Sequence, residues 1–252
     1  MATYVSVKQF NDSLQNMANK TLYSGEDVSL NVENLKKVEG DLDKFNFVDF
    51  MNILSYKNPE VELTTNLTTL TYEVGNVING CTLIANIIKG SSKISQIDFY
   101  KDNILLESIT TGVLSGGNFT YNYGIDISVN TKFKIIVTCE DGVKKEKEVV
   151  VNFYNPYYFG ACLDITETKI LALNKKVDKK QTQTFKVTAS NQYICFAYDA
   201  SYGRLSSLLD VNGFENINSF DVQEMEINGV NCYIYTSNNT VYCSNFEYKL
   251  IF

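Results

Sequence analysis

The chain has 252 residues, 44% of them hydrophobic and 20% charged, a balance that fits folded globular protein and excludes a disordered one. It has no His, which removes Ser-His-Asp and Cys-His machinery and the commonest metal ligand. Its net charge of −7 and single Arg, Arg204, exclude the basic surface that nucleic-acid binding requires.

Residues 1–58 read as a helical arm. Ser6 can cap a first helix, and Phe10, Leu14 and Met17 then share one face. A second amphipathic run carries Val32, Leu35, Val38 and Leu42, and a third, around Phe47, Phe50 and Leu54, is apolar nearly all round. Three short helices make a poor core of their own. The arm is therefore expected either to pack on the rest of the chain or to serve in docking and oligomerisation. Its opening residues lack a charged start followed by an apolar stretch, so no signal peptide is expected, and no run reaches the roughly 20 apolar residues of a membrane span.

Pro59 marks a change of period from helical to alternating. From Val61 to Tyr154 roughly seven short strands are expected, punctuated by Lys101-Asp102-Asn103, Gly116-Gly117 and Glu140-Asp141-Gly142. Such spacing describes an immunoglobulin-like or fibronectin-III-like sandwich over residues 59–154. The antibody-type Cys pair flanking a Trp is missing, so only the architecture is implied.

The segment Phe153-Tyr154-Asn155-Pro156-Tyr157-Tyr158-Phe159-Gly160 follows, with five aromatics and one of the two prolines. It opens a second β-rich domain, 155–252. There Asp164 and Glu167 have the spacing of a capping box. The short helix they open should bury Ile165, Leu171 and Ile170, with Lys175-Lys176 at its C-terminal end. Strands are expected over 184–189, 193–198, 220–227, 232–236 and 242–252, with turns at Asn191, Asn212-Gly213 and Asn228-Gly229. The fold class is thus mainly β, with a helical arm, a sandwich and a second β domain holding one helix.

Few groups point to chemistry. Asp98 with Asp102, and Asp210 with Glu215, are carboxylates of the kind glycoside hydrolysis uses, and also of the kind that build turns and edges. Gly112 and Gly116-Gly117 lack a phosphate-loop spacing, and Asp41 and Asp43 lack that of a calcium loop. The six Cys show no C-x-x-C pairing and read as small buried hydrophobes in reduced form. No catalytic, metal or cofactor residues are expected. Tyr154, Tyr157 and Tyr158 combine apolar faces with polar tips. In an alternating strand only some can face a core. They read either as core and a clamp between domains, or as a subunit contact or glycan platform.

The order of these features carries a resemblance. An immunoglobulin-like module runs into Phe153 to Gly160, followed by a short helix, Tyr193-Ile194-Cys195-Phe196-Ala197-Tyr198, Ser201-Tyr202-Gly203, Leu205 to Asp210, Gly229, and Tyr235-Thr236-Ser237-Asn238-Asn239-Thr240. From about Tyr72 to Phe252 the chain resembles structural proteins of tailed bacteriophages of low-GC bacteria, components of tail, baseplate, neck or fibre. The resemblance implies a non-enzymatic virion protein, assembled in the host cytoplasm and located in the virion. It would be a homo-oligomer whose partners are other virion proteins, with a host surface glycan as a further partner if the tyrosines form a platform. The alternative is a receptor- or glycan-binding module of a tail fibre or tail tip.

Overall fold

The computed structural model of the protein describes residues 56–252. The arm helices, and with them Phe10, Leu14, Met17, Leu35, Phe47, Phe50 and Leu54, lie outside the described residues. Residues 59–252 form one compact unit.

Its first half is a sandwich. One sheet is β1 (Glu60–Thr65), β3 (Cys81–Ile88) and β6 (Gly116–Tyr123), in the order β1-β3-β6. The other holds β2 (Thr71–Glu73), β4 (Ile94–Lys101), β5 (Ile104–Ile109), β7 (Thr131–Cys139) and β8 (Lys144–Tyr154), in the order β2-β8-β7-β4-β5. All pairs are antiparallel except β2 with β8, which is parallel. This is an immunoglobulin/fibronectin-III-like sandwich with an added short edge strand.

Alternation explains why these strands form. Cys81, Leu83, Ala85 and Ile87 of β3 face Phe133, Ile135 and Val137 of β7 and Val149, Val151 and Phe153 of β8 across one core, while intervening residues remain more exposed. Each large side chain buried there is worth about 1.5–3 kcal/mol. The β4–β5 hairpin turns on Asp102 and Asn103, both at positive φ, where Asp and Asn are tolerated. Asp102 Oδ1 also accepts from the Lys132 N–H at 2.9 Å. Gly80, at φ +72°, leads into β3, and a Cβ there would overlap the Tyr123 carbonyl oxygen.

The second half is built on β9 (Pro156–Cys162), β10 (Asn174–Val177), β11 (Gln183–Asp199), β13 (Phe220–Ile227) and β14 (Val230–Ser237), in the order β10-β9-β11-β14-β13. β15 (Val241–Ile251) pairs with the first part of β11 and with β12 (Ser207–Asp210). The two segments expected at 184–189 and 193–198 are one strand. Asn191, at φ +56°, does not reverse the chain but accompanies register shifts around Val187–Gln192. β11 consequently bends from its pairing with β15 into its pairing with β9 and β14.

One consequence is a central sheet covered on both faces. Tyr157, Ile194, Phe196, Tyr198 and Tyr235 enter one core with Phe185, Leu208 and Leu250. Tyr158, Cys162, Cys195, Ala197, Cys232 and Ile234 enter a second core on the opposite face, beneath Ile170 of the short helix α1 (Glu167–Leu171). The helix departs from expectation. Thr166, not Asp164, is its N-cap and makes no side-chain cap bond. Glu167 reaches instead to the Asn228 N–H at 2.7 Å, in the β13–β14 turn. Ile170 is buried and Leu171 exposed. Lys175 and Lys176 lie in β10 rather than at the helix end.

Candidate functional site

The Tyr-rich segment is where sequence reasoning placed a platform, and the strand geometry settles what its aromatics do. Asn155 alone separates β8 from β9. Pro156 is the first residue of β9, a place where its missing N–H is tolerated. Successive side chains then point to opposite faces. Phe153 enters the core of the first sandwich and stacks on Tyr72 at 5.7 Å. Tyr157 and Tyr158 enter the two cores of the second half.

Tyr157 is only 1% exposed and Tyr158 only 6%. Neither can stack on a glycan, and the platform reading is corrected at both positions. The expectation that alternation would leave one of them outside fails because both faces of this sheet are covered. Tyr154 is half-buried. Phe153, Tyr157 and Tyr158 each enter the core of one half, while the phenol of Tyr154 in β8 acts on that of Tyr202 in the second half.

Around Tyr157 the rings form a packed cluster. Tyr202 lies 5.6 Å away, Tyr198 and Phe185 6.0 Å, and Phe252 6.1 Å, separations at which aromatic pairs attract. Their hydroxyls are spent on backbone. Tyr157 donates to the Lys179 carbonyl at 3.1 Å and Tyr198 to that of Gly203 at 3.0 Å, while Tyr235 accepts from the Leu205 N–H at 2.9 Å. Burial pushes the phenols of Tyr157 and Tyr198 far above the ordinary range, with neighbouring phenols adding to it. Tyr202 is pushed up to about 12 by burial and by the charge of Asp199. These phenols stay protonated at neutral pH and have the chemistry of structural hydrogen bonds rather than of acids or bases. Arg204 rests its guanidinium over the Tyr233 ring at 5.5 Å.

Polar contacts join the halves. Lys175 of β10, in the second half, pairs with Glu73 of β2, in the first, at 2.6 Å. The linker residue Asn155 donates to Asp199, which also accepts from the Ser201 N–H at 2.8 Å. Burial works to raise the Asp199 carboxyl, but Asn155 and Ser201 outweigh it and hold the group low. Asp178 behaves alike. Burial opposes its charge, and Gln183, Lys176, Gln181 and the Lys179 N–H together keep it below the usual range. Neither carboxylate stands out in sequence, because its partners are distant along the chain or sit in an unremarkable Lys/Gln run.

The carboxylates that sequence reasoning raised for hydrolysis are engaged elsewhere. Asp98 is buried, and Gln96 Nε2 reaches its two oxygens at 2.8 and 2.9 Å. Asp210 accepts from the N–H groups of Asn212 and Phe214 at 2.8 and 3.0 Å. Glu215 accepts from the Ser207 hydroxyl and from the N–H groups of Leu208 and Ile217, both at 2.9 Å. Asp210 and Glu215 thus build turns and strand edges, while Asp98 is held inside the interior strand β4. Among the described residues, no three His, Cys, Asp or Glu side chains are grouped to hold a metal ion, and no helix is long and apolar enough to cross a membrane.

No family model and no curated protein matches the chain. Among solved structures it is similar to the fibronectin(III)-like modules of Clostridium thermocellum CbhA, at 16% identity over 75% of this chain and 77% of that chain, with a TM-score of 0.25.

Proposed function

We propose that this chain is a non-enzymatic structural component of a bacteriophage virion, a tail, baseplate or neck protein that self-associates or docks on the particle through residues 1–58. One observation carries the reading: the coupling between the two β halves. A single residue, Asn155, links them. That linker is tied to Asp199 of the second half, and Glu73 of β2, in the first half, is tied to Lys175 of the second. A stiff two-part body of this kind suits a spacer in a particle.

The second sheet of the sandwich supports assembly further. Its edge strand β5 exposes Ile104 and Leu105 at 68% and 51%, apolar surface that neighbouring copies or other virion proteins could cover. The glycan-binding alternative loses its stated platform with the burial of Tyr157 and Tyr158 and is not carried further.

Mass spectrometry of purified particles of the encoding phage tests the reading, together with sedimentation of the isolated protein. The chain is expected among the virion proteins and in an oligomer. A strictly monomeric protein absent from purified particles overturns it.

A further inference from the structure

Cys162 closes β9 and Cys195 lies within β11. The strands are antiparallel, with Cys195 opposite Gly160 and Tyr193 opposite Cys162. Residues two apart on a strand share a face, so both thiols project into the core beneath α1 as diagonal neighbours. The residue directly opposite Cys195 is a glycine, and no side chain stands between the two thiols. Their sulfurs meet at 2.6 Å, and both residues are buried, at 4% and 0% exposure.

The other four thiols are placed apart. Cys232 faces Asp199, four residues along β11 from Cys195 or about 13 Å. Cys243 contacts the Val187 carbonyl, and Cys81 and Cys139 belong to the first sandwich. Sequence spacing gives no hint of the pair, because 33 positions separate its members.

We propose that Cys162 and Cys195 are a modification site, a dithiol pair that hydrogen peroxide converts to a cross-strand disulfide. Cys162 reacts first. It stands at the end of its strand, next to the exposed Leu163, whereas Cys195 is enclosed. Either sulfur can donate in the contact between them; when Cys195 donates, the thiolate is favoured at Cys162, while the same contact and burial hold Cys195 protonated. The Cys162 thiol loses its proton to water, and its thiolate attacks peroxide. The O–O bond breaks, hydroxide leaves, and a sulfenic acid forms. The Cys195 sulfur then attacks the Cys162 sulfur. The S–S bond forms as the S–O bond breaks, and the departing hydroxide leaves as water with the Cys195 proton. In sum, two thiols give up two electrons and two protons, and one peroxide becomes two waters. The product ties β9 to the strand that runs through both sheets of the second half. This inference does not depend on the proposed virion role.

The test uses the full chain, reduced, freed of reductant and treated with hydrogen peroxide. It is then denatured, alkylated and mapped by proteolysis and mass spectrometry. Four of the six cysteines are expected to alkylate, with the Cys162 and Cys195 peptides linked and the link reversed by dithiothreitol. In Cys195→Ala the link is lost and Cys162 becomes trappable by dimedone. Six alkylatable thiols after peroxide, or a link between any other pair, overturns the proposal. The wild-type map alone decides this if the variant fails to fold.

Discussion

The two halves of the described chain bury their sheets differently. In the first sandwich each sheet gives one face to a shared core, and the strands β3 and β7 alternate. In the second half the central sheet is covered on both faces. The run Ile194 to Tyr198 is buried at every position, and alternation disappears. Apolar continuity in a strand therefore reports the number of covered faces, and it separates a two-sided sheet from a sandwich layer when both have the same composition.

The largest test of this contrast removes one large side chain from each core. Phe133→Ala in the first and Tyr198→Ala in the second should each cost about 3–5 kcal/mol, read from denaturant unfolding followed by tyrosine fluorescence and circular dichroism. Tyr157→Ala should behave as a core variant of the same size and leave any adsorption to host cells unchanged per folded molecule. A stable Tyr157→Ala protein would show that the second core is not closed around that ring.

Backbone substitutions come next. Gly80→Ala places a Cβ on the Tyr123 carbonyl oxygen at a positive φ and should cost roughly 2 kcal/mol or more. Gly160→Ala meets Leu173 Cδ2 at 3.0 Å, with φ at +155°. That neighbour is a side chain that can give way, so the cost should be smaller than at Gly80. The reverse order in thermal unfolding would show that the two-sided sheet is less tolerant of added volume than the sandwich.

These cases show what the sequence could reveal. The mainly β class, the immunoglobulin/fibronectin-III-like sandwich and turns such as Asp102-Asn103 and Asn228-Gly229 were legible, because alternation and turn chemistry are local. The continuity of β11 was hidden, since Asn191 adopts the same positive φ in a bulge as in a hairpin. The helix start was misplaced because Glu167 spends its carboxylate on Asn228, sixty-one positions away. The burial of both Tyr157 and Tyr158 depends on what covers the second face, and that cover comes from α1, later in the chain. The Cys162–Cys195 pair and the Asn155–Asp199 tie were out of reach for the same reason.

Alkaline pH offers a milder test, specific to the second half. Tyr202 and Tyr248 are pushed up to about 12 by burial, from an ordinary value of 10.0, and Tyr157 and Tyr198 are raised further. Above pH 10 the unfolded chain loses phenolic protons that the folded one keeps. The unfolded state then binds fewer protons, so stability falls as pH rises from 10 towards 12 and is complete below 10. Tyr202→Phe should flatten part of that fall. Unfolding midpoints between pH 9 and 11.5 measure it, and a flat profile would mean that the phenols are open to water.

The smallest expected effect bears on the joint between the halves. Lys175 and Glu73 approach to 2.6 Å, with the Lys side chain half exposed, so the pair should contribute no more than about 1 kcal/mol and weaken as salt rises. Glu73→Gln should therefore barely change overall stability. Its informative readout is cooperativity, because Glu73, in the first half, pairs with a residue of the second. If the Asn155 link and its contact with Asp199 suffice, the halves of Glu73→Gln still unfold together, with coincident fluorescence and circular-dichroism transitions. If the transitions separate, and the double variant Glu73→Lys with Lys175→Glu brings them back together, the ion pair is what makes the two halves one unit. The stiffness behind the proposed structural role would then rest on that pair.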